Sequence, residues 1–82
     1  MKVQYIGETF GAVSLTDGKI YECLGYEADF DMLRIIDDSG EDYLYSLLNP
    51  RPLDGSSIGG KFIIVEDDEN KSLKRLMDFW RE

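Results

Sequence analysis

Residues 33–47 read LRIIDDSGEDYLYSL, two apolar runs on either side of an acidic segment that contains one glycine. Apolar side chains at every second position are typical of a β-strand with one buried face. Asp38-Ser39-Gly40 suits a three-residue hairpin loop with Gly40 in the left-handed conformation, because glycine has no Cβ to clash there. The segment therefore predicts an antiparallel β-hairpin, and the fold class is expected to be all-β.

The same alternation extends outward from this hairpin in both directions. Residues 20–26 (IYECLGY) alternate after Asp17-Gly18, a pair typical of a turn that leads into a strand. Shorter runs near the start and after residue 60 complete the pattern. The predicted strands cover about residues 2–6, 19–26, 32–37, 41–47 and 61–65.

Residues 49–60 differ in composition from the strands around them. Two prolines, three glycines and two serines fall within these twelve residues, which disfavours helix and central strand. We expect an exposed, flexible excursion between the fourth and fifth strands. Residues 55–61 fit the spacing G-x-x-x-x-G-K of a phosphate-binding loop, but Phe62 replaces the Ser or Thr that binds magnesium and a strand is predicted to follow, so nucleotide binding is not expected.

The end of the chain predicts an amphipathic helix. Leu73, Leu76, Met77 and Trp80 recur at helical spacing, and Asp68 or Asn70 precedes them as a helix cap. This apolar stripe must be buried, since so short a helix is marginal alone in water. Three alternatives remain open: it caps an open end of its own barrel, it packs against a second copy, or it stays mobile until a partner supplies a groove. We divide the chain into a domain of residues 1–69 and a helical extension of residues 70–82.

Five short strands with a long first connection, a tight hairpin between the third and fourth strands and a brief link into the last strand resemble an SH3-like barrel. The similarity is carried by residues 15–23 (LTDGKIYEC), 34–45 (RIIDDSGEDYLY) and 62–66 (FIIVE). These stretches resemble small uncharacterised SH3-like barrel proteins of Gram-positive bacteria and their mobile elements. The resemblance implies a five-stranded SH3-like barrel, here followed by a C-terminal α-helix, and brings no catalytic or ligand-binding residues. The Ala-Leu-Tyr-Asp-Tyr signature of proline-binding SH3 domains is missing, so polyproline recognition is not expected.

The chain is acidic, with 17 acidic and 9 basic residues among 82 and a net charge of −8. Residues 1–69 carry a net −10 and residues 70–82 a net +2. Such a charge repels phosphate backbones and anionic membranes, so neither nucleic acid nor membrane is an expected partner. One cysteine and no secretory signal pattern indicate a reducing, cytoplasmic location.

Little in the sequence predicts chemistry. Histidine is missing, and the single Cys23 lies among apolar strand residues, where a buried, unreactive thiol is expected. The acidic groups at residues 37–42 and 66–69 lack the alternate-residue spacing of a calcium loop, so they are interpreted as hairpin and helix-approach residues. We expect no enzyme activity, no cofactor and no metal.

These observations favour a non-catalytic protein-interaction module in the bacterial cytoplasm, monomeric or weakly dimeric, with an unidentified protein partner. The alternative is an acidic mimic that occupies a basic, nucleic-acid-binding surface of another protein. Salt would separate the two, because charge mimicry weakens steeply with ionic strength. The residues expected to bind the partner are Leu73, Leu76, Met77, Trp80, Tyr43 and Tyr45.

Overall fold

The computed structural model describes residues 1–27 and 31–81, excluding the side chains of residues 80 and 81. It is mostly β, with five strands and one C-terminal helix, as the alternation predicts, and the strand ends fall within one or two residues of their predicted positions. The elements are β1 (Lys2–Gly7), β2 (Ile20–Glu27), β3 (Met32–Ile36), β4 (Asp42–Ser46), β5 (Gly60–Glu66) and α1 (Ser72–Arg81).

The five strands form one antiparallel sheet in the order β4-β3-β2-β1-β5. The predicted closure into a barrel is not found: β4 and β5 are the two edges, and within the described residues no ladder joins them. Closure requires hydrogen bonds between the first and last strands of the order. Here the open side is covered by other means, because the segment after β4 and the helix contribute Leu47, Leu73 and Met77 to the core.

The predicted β3–β4 hairpin is confirmed. The Asp37 N–H donates to the Glu41 carbonyl oxygen at 3.1 Å, and the Gly40 N–H donates to the Asp37 carbonyl oxygen at 3.0 Å. Gly40 has φ of 81°, the left-handed value that the three-residue loop requires. The Asp37 carboxylate also accepts the Ser39 N–H at 2.9 Å, which fixes the loop from inside.

One hydrophobic core unites the sheet and the helix. Its fully buried members include Tyr5, whose ring meets that of Phe62 edge-on at 6.2 Å between centroids. Leu73 and Met77 of α1 belong to this core, and Leu76 packs against it. The helix therefore packs on its own chain, as in the first of the three alternatives, although against an open sheet and not at the end of a closed barrel. Cys23 is also buried, as predicted, and burial raises the pKa of its thiol.

Two carboxylates organise the start of α1. Asp68 accepts the Ser72 N–H at 2.8 Å, and Asp67 accepts the N–H groups of Leu73 and Lys74 at 3.0 Å each. These N–H groups have no partner within the helix, and negative charge is favourable at this end. Asp68 is one of the two predicted caps. Asp67, which the sequence pattern missed, satisfies two further N–H groups.

The excursion of residues 49–60 is less exposed than predicted. The Pro50 side chain is fully buried, and Ser57 and Gly59 are buried as well. The Gly60 N–H donates to the Pro50 carbonyl oxygen, and the Glu8 N–H donates to the Gly59 carbonyl oxygen, each at 3.1 Å. These long-range bonds tie the segment to the sheet. As expected, a strand and not a helix follows it, since β5 begins at Gly60.

Candidate functional site

An open groove of about 900 Å³ runs beside the edge strand β4. Three segments line most of it: residues 10–14 of the first connection, residues 43–46 of β4, and residues 49–56. The volume lies within the range of ligand-binding clefts in proteins, which is roughly 300–1,000 Å³. The groove is thus a concave surface of suitable size from which to ask what this molecule binds.

The hairpin places two tyrosines at the groove. Tyr43 and Tyr45 are two residues apart on β4, so they share one face of the strand. The Tyr45 hydroxyl donates to the buried Asp37 carboxylate at 2.6 Å; burial and this acceptor raise the pKa of Tyr45 well above its usual value. Tyr43 is half exposed, and its hydroxyl donates to Glu41, which raises its pKa. Both rings therefore stay neutral at physiological pH.

The first connection is fastened to the hairpin by one carboxylate. Asp38 accepts hydrogen bonds from Thr16 Oγ1 at 2.8 Å, Lys19 Nζ at 2.6 Å and the Tyr21 hydroxyl at 2.9 Å. Its N–H donates to the Ser14 carbonyl oxygen at 3.0 Å. Partial burial opposes ionisation of Asp38, but the three donors outweigh it and lower the pKa of this carboxyl. These bonds fix the first connection against the hairpin, and residues 10–14 of this connection line one side of the groove.

Two exposed apolar side chains form the rim of the groove. Val13 projects from the first connection at 55% exposure, and Leu53 projects from the opposite loop at 101% exposure. Inside, the Phe10 and Tyr45 rings lie 6.3 Å apart. Exposed apolar side chains gathered around one concavity indicate a contact surface for another molecule.

The backbone of β4 adds hydrogen-bonding groups to this surface. Antiparallel pairs alternate between bonded and non-bonded, and Leu47 N–H donates to the Asp31 carbonyl oxygen at 3.2 Å. The Asp37–Glu41 bond belongs to the same alternating series of bonded pairs. Leu44 falls in a non-bonded pair of this series, so its backbone N–H and C=O point away from β3, toward the groove. In residues 1–27 and 31–81 neither group has a hydrogen-bond partner. The groove thus combines apolar side chains with a free strand edge.

The acidic side chains of the hairpin, by contrast, accept hydrogen bonds from other groups of this chain. Asp37 and Asp38 turn to different donors, and nowhere in the described ranges do three acidic or cysteine side chains gather as metal ligands would. The hydrogen bonds support the interpretation of Asp37 and Asp38 as hairpin residues.

Five of the six residues expected to bind a partner have side chains that the structure describes, and these five lie in two separate places. Tyr43 and Tyr45 line the groove. Leu73 and Met77 lie instead in the core of this chain, where their own sheet covers them, and Leu76 is partly buried beside it. The side chain of Trp80 lies outside the described residues. Sequence reasoning missed Val13 and Leu53, because neither stands out from other apolar residues in its connection, such as Leu15 in the first and Ile58 in the second.

Comparison with known proteins adds no relationship. No protein-family model matches the chain, and neither a curated protein nor a solved structure is significantly similar to it. Within the described part of the chain, no helix has the length and apolar character to cross a bilayer.

Proposed function

We propose that this protein is a non-catalytic interaction module that binds an extended segment of a partner protein in the groove beside β4. The observation that carries the proposal is the pairing of exposed apolar rim residues with the free Leu44 backbone edge. An extended segment would add to β4 as a further strand, and its side chains would contact the rim. Backbone bonds would supply affinity, and the apolar contacts would supply selectivity.

The proposal includes an SH3-like architecture. It is supported by the order β4-β3-β2-β1-β5, by the long connection between β1 and β2, and by the three-residue β3–β4 loop. The cytoplasm is the proposed location, which the buried, unpaired thiol of Cys23 supports.

A peptide-display selection against the whole chain tests the proposal. Selected peptides should lose at least about tenfold in affinity for Val13→Asp, because the new carboxylate would be desolvated on binding. Leu24→Asp is the matched control. The exposure of Leu24 is 53%, similar to the 55% of Val13, but Leu24 does not line the groove. Equal losses in both variants, or no selected peptide at all, would contradict the proposal.

Two further measurements define how the segment binds. Protection of the Leu44 amide from hydrogen exchange on peptide binding would support strand addition at β4. Affinity should change little between low and physiological salt, since apolar contacts and backbone bonds dominate. A steep loss with salt would favour the acidic-mimic alternative, in which charge supplies the attraction.

A further inference from the structure

The second edge of the sheet, strand β5, exposes two apolar side chains on its outer face. Ile63 is 43% exposed and Val65 is 47% exposed. Proteins usually protect an edge strand with a helix, a loop or charged side chains, because a bare edge pairs with other strands. An edge with adjacent β-branched side chains therefore indicates a surface that another strand covers.

The backbone of β5 has free hydrogen-bonding groups on this edge, beginning with Phe62. Phe62 stands opposite Tyr5 of β1. However, Tyr5 N–H donates to the Lys19 carbonyl oxygen at 3.0 Å, and its own carbonyl accepts the Gly18 N–H at 2.7 Å. The backbone N–H and C=O of Tyr5 thus both point away from β5. In such a non-bonded pair the partner residue also points its groups away, so Phe62 directs its N–H and C=O outward from the sheet.

The same reasoning applies to Ile64, two residues further along. Its partner on β1 is Val3, two residues from Tyr5. The backbone N–H and C=O of Val3 therefore also point away from β5, toward Tyr21 of β2. Across residues 1–27 and 31–81, no hydrogen bond reaches the outward groups of Phe62 or Ile64. The edge thus offers two donors and two acceptors in regular alternation.

There is room beside these groups for another strand. A groove of about 670 Å³ separates β5 from α1, and its far wall includes Lys71, Lys74 and Asp78. The helix contacts the core through Met77 and leaves this edge uncovered.

We propose that this edge is a self-association surface, on which β5 of a second copy of this chain pairs antiparallel with β5. Phe62 of each copy stands opposite Ile64 of the other, because only this register uses all the outward groups of both residues. It forms four backbone hydrogen bonds around a two-fold axis at Ile63. A two-fold interface of this kind uses the same patch on both copies.

The charges of β5 are self-complementary in this arrangement. Lys61 lies near the start of the strand, and Glu66 and Asp67 lie at and just beyond its end. Antiparallel pairing brings the cationic end of one copy to the anionic end of the other, whereas parallel pairing would place like charges together. The β4 edge lacks this property, since Asp42 is the only charged residue of that strand. Charge therefore favours β5 over β4 as the edge that meets a second copy.

Sedimentation equilibrium on the full chain, from about 10 µM to about 1 mM, tests the association, and a reversible monomer–dimer equilibrium is expected. Ile63→Lys and Ile63→Glu should each raise the dimer Kd at least about tenfold, because like charges then face each other across the axis. An equimolar mixture of the two variants should restore the dimer. Ile20→Lys is the control: Ile20 is similarly exposed but lies on β2, inside the sheet order.

Hydrogen exchange of the unmodified chain tests the register without any variant. The amides of Phe62 and Ile64 should gain protection as concentration rises, and the Leu44 amide should not. A chain that stays monomeric up to about 1 mM overturns the proposal, as does a dimer indifferent to Ile63→Lys or one that protects Leu44 instead.

Discussion

Replacing Leu73 with alanine tests whether α1 is part of the core or a separable extension. The Leu73 side chain has no exposed surface and belongs to the same buried cluster as Val3 and Tyr5. The substitution removes three carbons, worth about 2.4 kcal/mol at about 0.8 kcal/mol per buried methylene. The cavity left behind adds to this, so we expect a loss of about 3 kcal/mol in the free energy of unfolding.

That loss is large for a chain of this size. A domain of 82 residues has a total stability of about 4–12 kcal/mol, so the variant would lose a quarter or more of it. Its melting temperature should fall by about 12–24 °C, at about 4–8 °C per kcal/mol. Urea unfolding followed by circular dichroism measures the free energy directly, with the midpoint lowered and the slope unchanged.

Leu53→Ala is the matched control for this experiment. It makes the same chemical change at a side chain that is wholly exposed, so its effect should stay within about 0.5 kcal/mol. A Leu73→Ala variant as stable as Leu53→Ala would refute the reasoning, because α1 would then contribute nothing to the core.

Two further predictions concern the loop before β5 and the hairpin. Gly59→Ala should lower the free energy of unfolding by about 3 kcal/mol in chemical denaturation, because φ is 72° and a Cβ would overlap the Pro50 carbonyl oxygen. Gly55 is the control: its φ is 75° but the space around it is open, so Gly55→Ala should cost only about 1 kcal/mol. Equal losses in the two variants would contradict the close approach of Gly59 to Pro50. The lowered pKa of Asp38 stabilises the fold above the ordinary carboxyl pKa of about 3.9, and this contribution is lost as pH falls through the lower native value. Asp38→Asn should therefore be less stable at pH 7 yet lose less stability on acidification; acid-unfolding curves parallel to those of the unmodified chain would argue against it.

Local patterns in the sequence predicted local structure well. The alternation around residues 20–26 and 33–47 reports which side chains face inward, and Gly40 fixes the hairpin because few other residues adopt its φ. Those features depend on neighbours along the chain. Even the Asp68 cap follows from residues within one helical turn.

What the sequence did not predict depends on contacts between distant segments. Alternation is the same whether an edge strand closes a barrel or stays open, so it did not distinguish the open sheet from a closed one. Pro50 and Ser57 lie in a segment whose composition indicates an exposed loop. Their burial accompanies hydrogen bonds between distant residues, from Glu8 N–H to Gly59 and from Gly60 N–H to Pro50, which composition does not reveal. The groove likewise needs three segments brought together, and no single stretch of sequence contains it.

The open sheet links the two proposed surfaces. A closed barrel would have consumed the backbone groups of both edge strands, whereas here Leu44 on β4 and Phe62 on β5 keep theirs. Pairing of β5 with β5 would give a ten-stranded sheet with β4 at both ends. The two β4 strands of a dimer would lie at most about 43 Å apart, at about 4.8 Å per strand, with one groove beside each. Self-association at one edge would leave peptide binding at the other untouched, and a partner with two suitable segments would then bind with higher effective affinity.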